Sequence, residues 1–345
     1  MAELNWKRAL FPAACAYAIF LALFLAIMEW RAETHWFFTI LLFAPAQFFS
    51  LPAFPLGLLG LWRRDWRTVG LMIGCVLLVF FGYMHSRSRK SEPPTPQSIT
   101  LITHNVGEGN RQQFYGFVAQ EKPDIILMQD ARNRAKELAK LFPDFNVAIQ
   151  GEFACVSRYL IQNSRVLEAP KWRGRAVLAR YEIVIHGKSA AVYSVHLPTP
   201  RNQLSKFLGA RTAIALFGNE ELPGGRSTLA EWNAERVELY RQTATVFAQE
   251  KLPFIVAGDF NMPSHGLLYH RFLEVMDDAF AQTGDGPGFT FPGNMKRLGT
   301  FIGPWIRIDY IYAGRGWKAL SCAPEPGLLS QHRAVAARLL ESGGK

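Results

Sequence analysis

The sequence predicts a chain in two parts: an N-terminal bundle of three membrane-crossing helices, then an α/β (α+β) domain with two sheets covered by helices. Three observations predict it. The stretches 9–28, 36–62 and 68–84 contain no Asp, Glu, Lys or Arg. Residues 87–97 are polar and proline-rich. From residue 98 onward, short β-branched runs alternate with helical patterns.

Crossing a bilayer core as a helix takes about 20 apolar residues, with a tolerated range of roughly 17–25. All three stretches meet that length, the last at its lower limit. The middle one contains Pro45, Pro52 and Pro55, which predicts a kinked or partly re-entrant segment rather than a straight rod. Trp30, Trp36, Trp62 and Trp66 flank the runs, where amphipathic rings favour the membrane interface. Lys7 and Arg8 precede the first run as in a secretory signal, but two further runs follow at once, which favours an anchor. With three crossings and a cytoplasmic N-terminus, Lys7, Arg8, Arg63, Arg64 and Arg67 lie inside, against Arg31, Arg87, Arg89 and Lys90 outside. That bias places the C-terminal domain on the non-cytoplasmic side. The expected organisation is therefore an anchor over 1–86 holding the lipid bilayer through residues 9–84, an extended spacer over 87–97, and a soluble domain over 98–345.

The 345 residues carry a net charge of +10, divided as +4 in residues 1–97 and +6 in residues 98–345. A domain at +6 attracts anionic partners, yet no dense Lys/Arg block marks a dedicated nucleic-acid groove. Cys15 and Cys75 lie in the apolar runs, while Cys155 and Cys322 lie far apart in the soluble part. No CxxC or Cys/His cluster suggests zinc, and pairing of Cys155 with Cys322 would need an oxidising compartment. The absence of GxGxxG and GxxxxGK[ST] removes support for nucleotide-binding folds.

Within the soluble part, 98–106 is rich in Ile, Leu, Thr and Val and reads as a strand. Residues 111–121 place Phe114, Phe117 and Val118 at helical spacing. Residues 123–129 form a buried-strand run, and 132–142 has helical composition. Further strands are predicted over 177–185, 190–197, 253–257, 307–312 and 334–339, with longer helices over 203–217 and 229–249.

Polar residues of metal-binding or acid/base type recur at the C-terminal ends of these strands. Asn105 ends the first, Asp130 follows the second, His196 ends 191–196, and Asp259 and Asn261 follow 254–258. Asp309 interrupts an apolar run between Ile308 and Tyr310, and His332 precedes the final strand. Strand ends feeding loops are where a rigid scaffold presents functional groups. Taken singly, an Asp or Asn after a strand ordinarily caps a turn. Asp309 is different, because a carboxylate inside an apolar run is costly to bury without a partner.

The ordered set is more specific than its members. The chain reads Thr103-His-Asn-Val106, Pro123-Asp-Ile-Ile-Leu-Met-Gln-Asp130, Val156-Ser-Arg-Tyr159, Ser194-Val-His-Leu197, Ala257-Gly-Asp-Phe-Asn261, Arg307-Ile-Asp-Tyr310 and Ser330-Gln-His-Arg333. This resembles the endonuclease/exonuclease/phosphatase superfamily, which includes pancreatic-type deoxyribonuclease, abasic-site endonucleases, inositol polyphosphate 5-phosphatases and neutral sphingomyelinases. The resemblance implies a four-layer sandwich with two central mixed sheets flanked by helices, and hydrolysis of phosphate esters with Mg²⁺ or Mn²⁺. It implies that Asp130 is the carboxylate metal ligand and that Asn105 helps hold metal or phosphate. Asp259 would orient or deprotonate the attacking water, with Asn261 beside it on the phosphate. His196 would donate to a phosphate oxygen, Asp309 would orient the catalytic histidine, and His332 would bind phosphate or move a proton. Anionic phosphate diesters repel nucleophiles, so a hard cation with imidazole and amide donors is the fitting chemistry.

Two positions depart from the family's pattern. The family usually carries Glu where this chain has Asp130, whose reach is shorter by about 1.5 Å. It usually carries Asp where this chain has Gln331, which supplies no negative charge. The second reading is thus a catalytically weak or inactive anion-binding module on the same fold. For substrate, nucleic acid and a phospholipid headgroup are the two expectations. Lipid would suit the tether; Phe291, Phe301 and Trp305 in 289–305 are candidates for membrane contact, with core or rim packing the commoner use of such residues, and the stretch 219–227 reads as a flexible loop that could shape specificity. His35 and His85 sit at span ends, and His104, His186, His265 and His270 lack a motif partner.

Overall fold

The computed structural model describes residues 3–84, 91–107, 111–131, 137, 140–201, 203–204, 228–292, 303–327 and 331–342. The helices expected over 132–142 and 203–217, the loop expected over 219–227, residues 87–90 of the spacer, His85, Phe301 and Ser330 lie wholly or largely outside them. The chain divides into two compact units, residues 1–87 with 265–267, and residues 88–264 with 268–345.

The first unit contains helices α1 (Glu3–Trp30), α2 (Trp36–Leu41), α3 (Ala53–Arg63) and α4 (Trp66–Leu77), the last continuing as a π-helical turn to Tyr83. Among the described residues two helical stretches, Ala9–Trp30 and Trp66–Tyr83, are long and apolar enough to cross a membrane. Three were expected. The stretch 36–62 is broken into α2, a short 3-10 turn over Ala46–Ser50 and α3 of 11 residues. Pro45 and Pro52 immediately precede the last two pieces, because proline cannot donate to a continuing helix. At 1.5 Å per residue, α3 reaches only about half of a bilayer core. Gly60 lets α3 approach α4, since a Cβ there would meet Thr68 Cγ2 at 3.1 Å. Outward, Ile19, Phe20, Leu23, Leu58, Trp62 and Trp66 are between 62% and 71% exposed. In the second unit the large exposed apolar residues are only Leu141, Leu160 and Leu273 among those described.

The second unit is built on two mixed six-stranded sheets. The first runs β13 (Trp317–Pro324), β14 (Val335–Glu341), β1 (Ser98–Asn105), β2 (Ile125–Gln129), β4 (Phe153–Ser157) and β3 (Asn146–Gln150). The second runs β11 (Asp277–Asp278), β12 (Asp309–Ala313), β10 (Phe254–Asp259), β9 (Lys188–His196), β8 (Leu178–Ile185) and β5 (Ile161–Val166). A separate hairpin joins β6 (Lys171–Trp172) to β7 (Arg175–Ala176). Among the described strands, β1–β2 and β9–β10 are the parallel pairs.

Alternation along each strand sorts side chains between two faces. Ile99, Leu101, Ile125 and Leu127 share one buried cluster with Ile183, Val192, Ile255 and Ile311 of the other sheet, so the sheets pack face to face. The opposite faces are covered by helices. Ile102, Ile126 and Met128 lie against Phe114, Phe117 and Val118 of α5 (Arg111–Glu121). Tyr193, Val195 and Val256 lie against Leu239, Tyr240 and Phe247 of α6 (Leu229–Ala248) and Leu268 and Phe272 of α7 (Gly266–Leu273). Gln129 ties the two sheets at the core, donating to Thr103 Oγ1 at 3.1 Å and Ser194 Oγ at 3.0 Å.

One expectation needs correction, and the pairing of Cys155 with Cys322, left open by the sequence, is answered. The spacer is not free throughout, because Glu92 N–H donates to the Leu320 carbonyl at 2.7 Å and its carboxylate meets Lys318 Nζ at 2.8 Å. Strand β13 is an edge strand, and an edge leaves carbonyls open to pairing. Cys155 and Cys322 are both buried and free. They sit on β4 and β13, with β14, β1 and β2 between them, a separation of about 19 Å at the usual strand spacing, far beyond disulfide reach.

Candidate active site

Strand register assembles most of the site before any loop contributes. Across β9, β10 and β12, His196 pairs with Asp259 and Asp259 pairs with Asp309, so three predicted residues stand in one row. In the other sheet Asn105 pairs with Gln129, which places Asp130 immediately beyond. The row depends on Gly258. Its φ is +148°, and a Cβ there would lie 2.1 Å from the Val195 carbonyl, so only glycine allows β10 to reach β9 at this point.

Asp259 is the hub. It is 1% exposed, and its Oδ2 accepts from Asn105 Nδ2 at 3.0 Å and from Asn261 Nδ2 at 3.0 Å. Oδ1 accepts from the Asn261 backbone N–H at 2.8 Å. The Nε2 atoms of His196 and His332 each lie 3.8 Å from Asp259 Oδ2. Burial raises the Asp259 carboxyl above its ordinary range, and Asp309 adds to this. Neighbouring His332 and His196 pull the other way without cancelling it. Asn261 adopts φ +45°, a left-handed turn that Asn tolerates. Its Nδ2 also donates to the Leu197 carbonyl at 2.9 Å, so the amide that meets Asp259 is itself held to the end of β9.

Each histidine has its own carboxylate. His332 Nδ1 lies 3.1 Å from both oxygens of Asp309, whose backbone N–H is in turn held by Thr290 Oγ1 at 3.2 Å. Burial alone would lower the His332 pKa, but the charges of Asp309 and Asp259 outweigh it and lift it to about 9. His196 Nδ1 lies 2.9 Å from Glu152 Oε1. Glu152 had no part in the sequence-derived set. It occupies the turn before β4 and is 6% exposed; the one sequence signal is a carboxylate abutting the wholly apolar start of a strand, which must find a partner. Arg175 joins it, with Nη1 3.4 Å from Glu152 Oε1 and Nη2 donating to the His196 carbonyl at 3.3 Å.

The remaining members close the ring. Asp130 adopts φ +55°, and one ligand atom from each of Asp130, Glu152 and His196 lies within 4.8 Å of the others. Asp259, Asp309 and His332 meet the same test. All seven predicted residues, Asn105, Asp130, His196, Asp259, Asn261, Asp309 and His332, are thereby connected through short contacts. Phe291 and Trp305 are 6% and 3% exposed, which agrees with core packing and not with membrane contact. Phe291 packs against the His332 ring at 5.0 Å between centroids. His104 is a supporting residue, with Nε2 3.2 Å from the His332 carbonyl.

For a metal, the fit is testable at Gly107. A Cβ built there would fall 3.4 Å from Asn105 Oδ1 and 3.6 Å from Asp130 Oδ2. The two oxygens therefore border one small space kept open by the missing side chain. Carboxylate and amide oxygens are the donors that hard divalent cations prefer. The residues fit such an ion.

A family model described as Endonuclease/Exonuclease/phosphatase family matches residues 102–332. The chain belongs to that family. Among solved structures, a D. rerio TDP2 humanised by 14 mutations matches at 15% identity with a TM-score of 0.51, covering 70% of this chain and 99% of that one. A truncated Caenorhabditis elegans TDP2 matches at 16% identity and a TM-score of 0.49, covering 70% and 98%. The 3'-5' exonuclease NExo from Neisseria meningitidis matches at 15% identity and 0.48, covering 69% and 98%. No curated protein matches the chain by sequence. Two mixed six-stranded sheets flanked by helices are the endonuclease/exonuclease/phosphatase fold, and the family's members are phosphodiesterases, nucleases and phosphatases.

Proposed function

We propose that this chain is a membrane-anchored, divalent-metal-dependent phosphoesterase that hydrolyses a phosphodiester by in-line attack of water. The observation that carries the reading is the convergence on Asp259 of two imidazoles, each 3.8 Å away and each backed by its own carboxylate. Burial that raises a carboxylate also strengthens it as a base, and a histidine lifted to about 9 is a cationic donor near neutral pH. Asp259 takes the proton of the attacking water. His332, oriented by Asp309, donates to the phosphoryl group or the leaving oxygen. His196, oriented by Glu152, donates to a second phosphate oxygen. Asn261 keeps Asp259 in place. Asn105 and Asp130 would hold Mg²⁺ or Mn²⁺, which when bound neutralises charge on the phosphate.

Anchoring through residues 9–84 is supported by two apolar helices and by the belt of exposed Ile, Phe, Leu and Trp side chains, a surface that water would disfavour. Two crossings return the chain to its starting side. Lys7, Arg8, Arg87, Arg89 and Lys90 would then oppose Arg31, Arg63, Arg64 and Arg67, which would put the catalytic domain on the cytoplasmic side. Three crossings would place it outside, and reporters fused at the two termini distinguish the cases.

The test is turnover of bis-p-nitrophenyl phosphate by the full chain in detergent with Mg²⁺ or Mn²⁺. Metal-dependent hydrolysis that Asp259→Ala abolishes is expected. Wild type indistinguishable from Asp259→Ala would leave the anion-binding module. A panel of single-stranded DNA, duplex DNA, sphingomyelin and inositol phosphates then divides nucleic acid from lipid headgroup.

A further inference from the structure

Along the inner faces of the two sheets the side chains change character in step as the strands approach the site. On β1 they read Ile99, Leu101, Thr103, Asn105, and on β2 Ile125, Leu127, Gln129. On β9 they read Val192, Ser194, His196, and on β10 Ile255, Ala257, Asp259. An apolar interior gives way to a neutral polar layer, and that layer to the ionisable residues of the site. Thr103, Gln129 and Ser194 make up the polar layer, and all three are wholly buried. Gln129 Nε2 donates to Thr103 Oγ1 at 3.1 Å within its own sheet, and to Ser194 Oγ at 3.0 Å in the other. One layer further on, Asn105 Nδ2 crosses to Asp259 Oδ2 at 3.0 Å. Gln129 Oε1 is buried without a hydrogen-bond partner among the described residues, a cost that a purely structural core position avoids by carrying an apolar side chain.

We propose that Gln129 is a positioning residue whose bond to Ser194 fixes the offset between the two sheets, keeping Asn105 and Asp130 of the first aligned with His196, Asp259 and Asp309 of the second. This rests on the phosphoesterase reading above. The site is divided between two sheets whose shared interior is apolar. Apolar burial is non-directional, so it resists separation of the sheets far more than a small slide. A hydrogen bond is directional and weakens steeply once its angle fails. The tie stands directly beneath the ionisable layer, where a slide would draw Asn105 away from Asp259. A displacement of about 1 Å costs about a hundredfold in rate when reacting groups must stay aligned. The bond to Thr103 has a different part, since it joins neighbouring strands that the backbone ladder already holds together.

The experiment uses the full chain in detergent, comparing Ser194→Ala, Thr103→Val and Gln129→Met on bis-p-nitrophenyl phosphate with Mg²⁺. Ser194→Ala and Gln129→Met are expected to lower kcat about ten- to hundredfold with little change in KM, while Thr103→Val stays within about threefold of wild type. A merely structural role would instead make the loss of kcat follow the loss of melting temperature in all three. If kcat of Ser194→Ala stays within about threefold of wild type, or if Thr103→Val loses as much as Ser194→Ala, the proposal is overturned. A second readout needs no turnover. Asn105→Ala is expected to lower the melting temperature of wild type, and that loss should shrink by about half or more in the Ser194→Ala background, although the two side chains share no hydrogen-bond partner. Equal losses in the two backgrounds overturn the proposal. Should wild type show no turnover above Asp259→Ala, the phosphoesterase reading fails by itself. The melting comparison then decides Gln129 alone: coupled losses sustain the tie, and additive losses refute it.

Discussion

Replacing Asp309 by Asn preserves size and one acceptor but removes the charge that faces His332. His332 rises from an ordinary 6.5 to about 9, burial being more than offset by Asp309 and Asp259. At about 1.36 kcal/mol per pH unit, that lift corresponds to roughly 3 kcal/mol of favourable interaction with the imidazolium. Asp259 remains in the variant, so the expected loss is about 1–3 kcal/mol. The sign follows from linkage. The folded state binds this proton more tightly than the unfolded chain, so the stabilisation is complete below pH 6.5 and disappears as pH climbs through about 9. The deficit of Asp309→Asn should therefore be widest near pH 6 and close by pH 9.5. Urea unfolding of the full chain in detergent micelles, followed by tryptophan fluorescence from pH 5.5 to 9.5, measures it. A deficit that stays constant across that range, or widens with pH, would refute the ion-pair account of His332.

Three other outcomes follow from single contacts. Gly258→Ala should be severely destabilising, by about 3 kcal/mol or more, because a positive-φ penalty adds to a backbone clash with Val195. Gly187→Ala, also at positive φ but with nothing within 4 Å, should cost only about 1–2 kcal/mol, and urea unfolding of the two variants measures the difference. Glu152→Gln should lower kcat about ten- to hundredfold while metal titration of activity is unchanged, since it disturbs the orientation of His196 and not the Asn105–Asp130 oxygens; an altered metal midpoint would instead make Glu152 a ligand. Glu250 is partly buried, which alone would raise it, yet hydrogen bonds from Arg180 and Tyr193 hold it at about 2. Its contribution is present above pH 4.5 and lost as pH falls toward 2, so Glu250→Gln should be less stable by about 2–3 kcal/mol at pH 7 and match wild type near pH 2.

The strands legible in the sequence are the central ones. In β1, β2 and β10 most residues are buried on both faces; β2 and β10 open as continuous apolar runs, and β1 is rich in Ile, Leu and Thr. Of the strands that escaped, β4 is interior and fully buried, its five residues too short a run to stand out, and β3, β5 and β13 lie at sheet edges. β3 reads Asn-Val-Ala-Ile-Gln and β5 reads Ile-Gln-Asn-Ser-Arg-Val, each at the margin of its sheet with half its surface in water. There the apolar alternation that marks a strand is diluted by the solvent-facing side. β13, also at an edge, was missed as well. The middle apolar stretch shows the converse error. Composition made 36–62 look like a span, while backbone hydrogen bonding at its prolines broke it into pieces too short to cross.

By itself the sequence determined the types of chemistry available and the strand ends that carry them, because buried carboxylates and imidazoles beside apolar runs are costly wherever the chain puts them unless they meet partners. It also determined the apolar N-terminal part, because hydropathy is a property of side chains in any conformation. Only the tertiary structure decided which carboxylate serves which histidine. Glu152 reaches His196 and Asp309 reaches His332 because two sheets stack and two strands pair in a given register, an outcome set by contacts between residues up to 228 positions apart. Such distant pairings are chosen by the packing of the whole core, and no local window of the chain contains them.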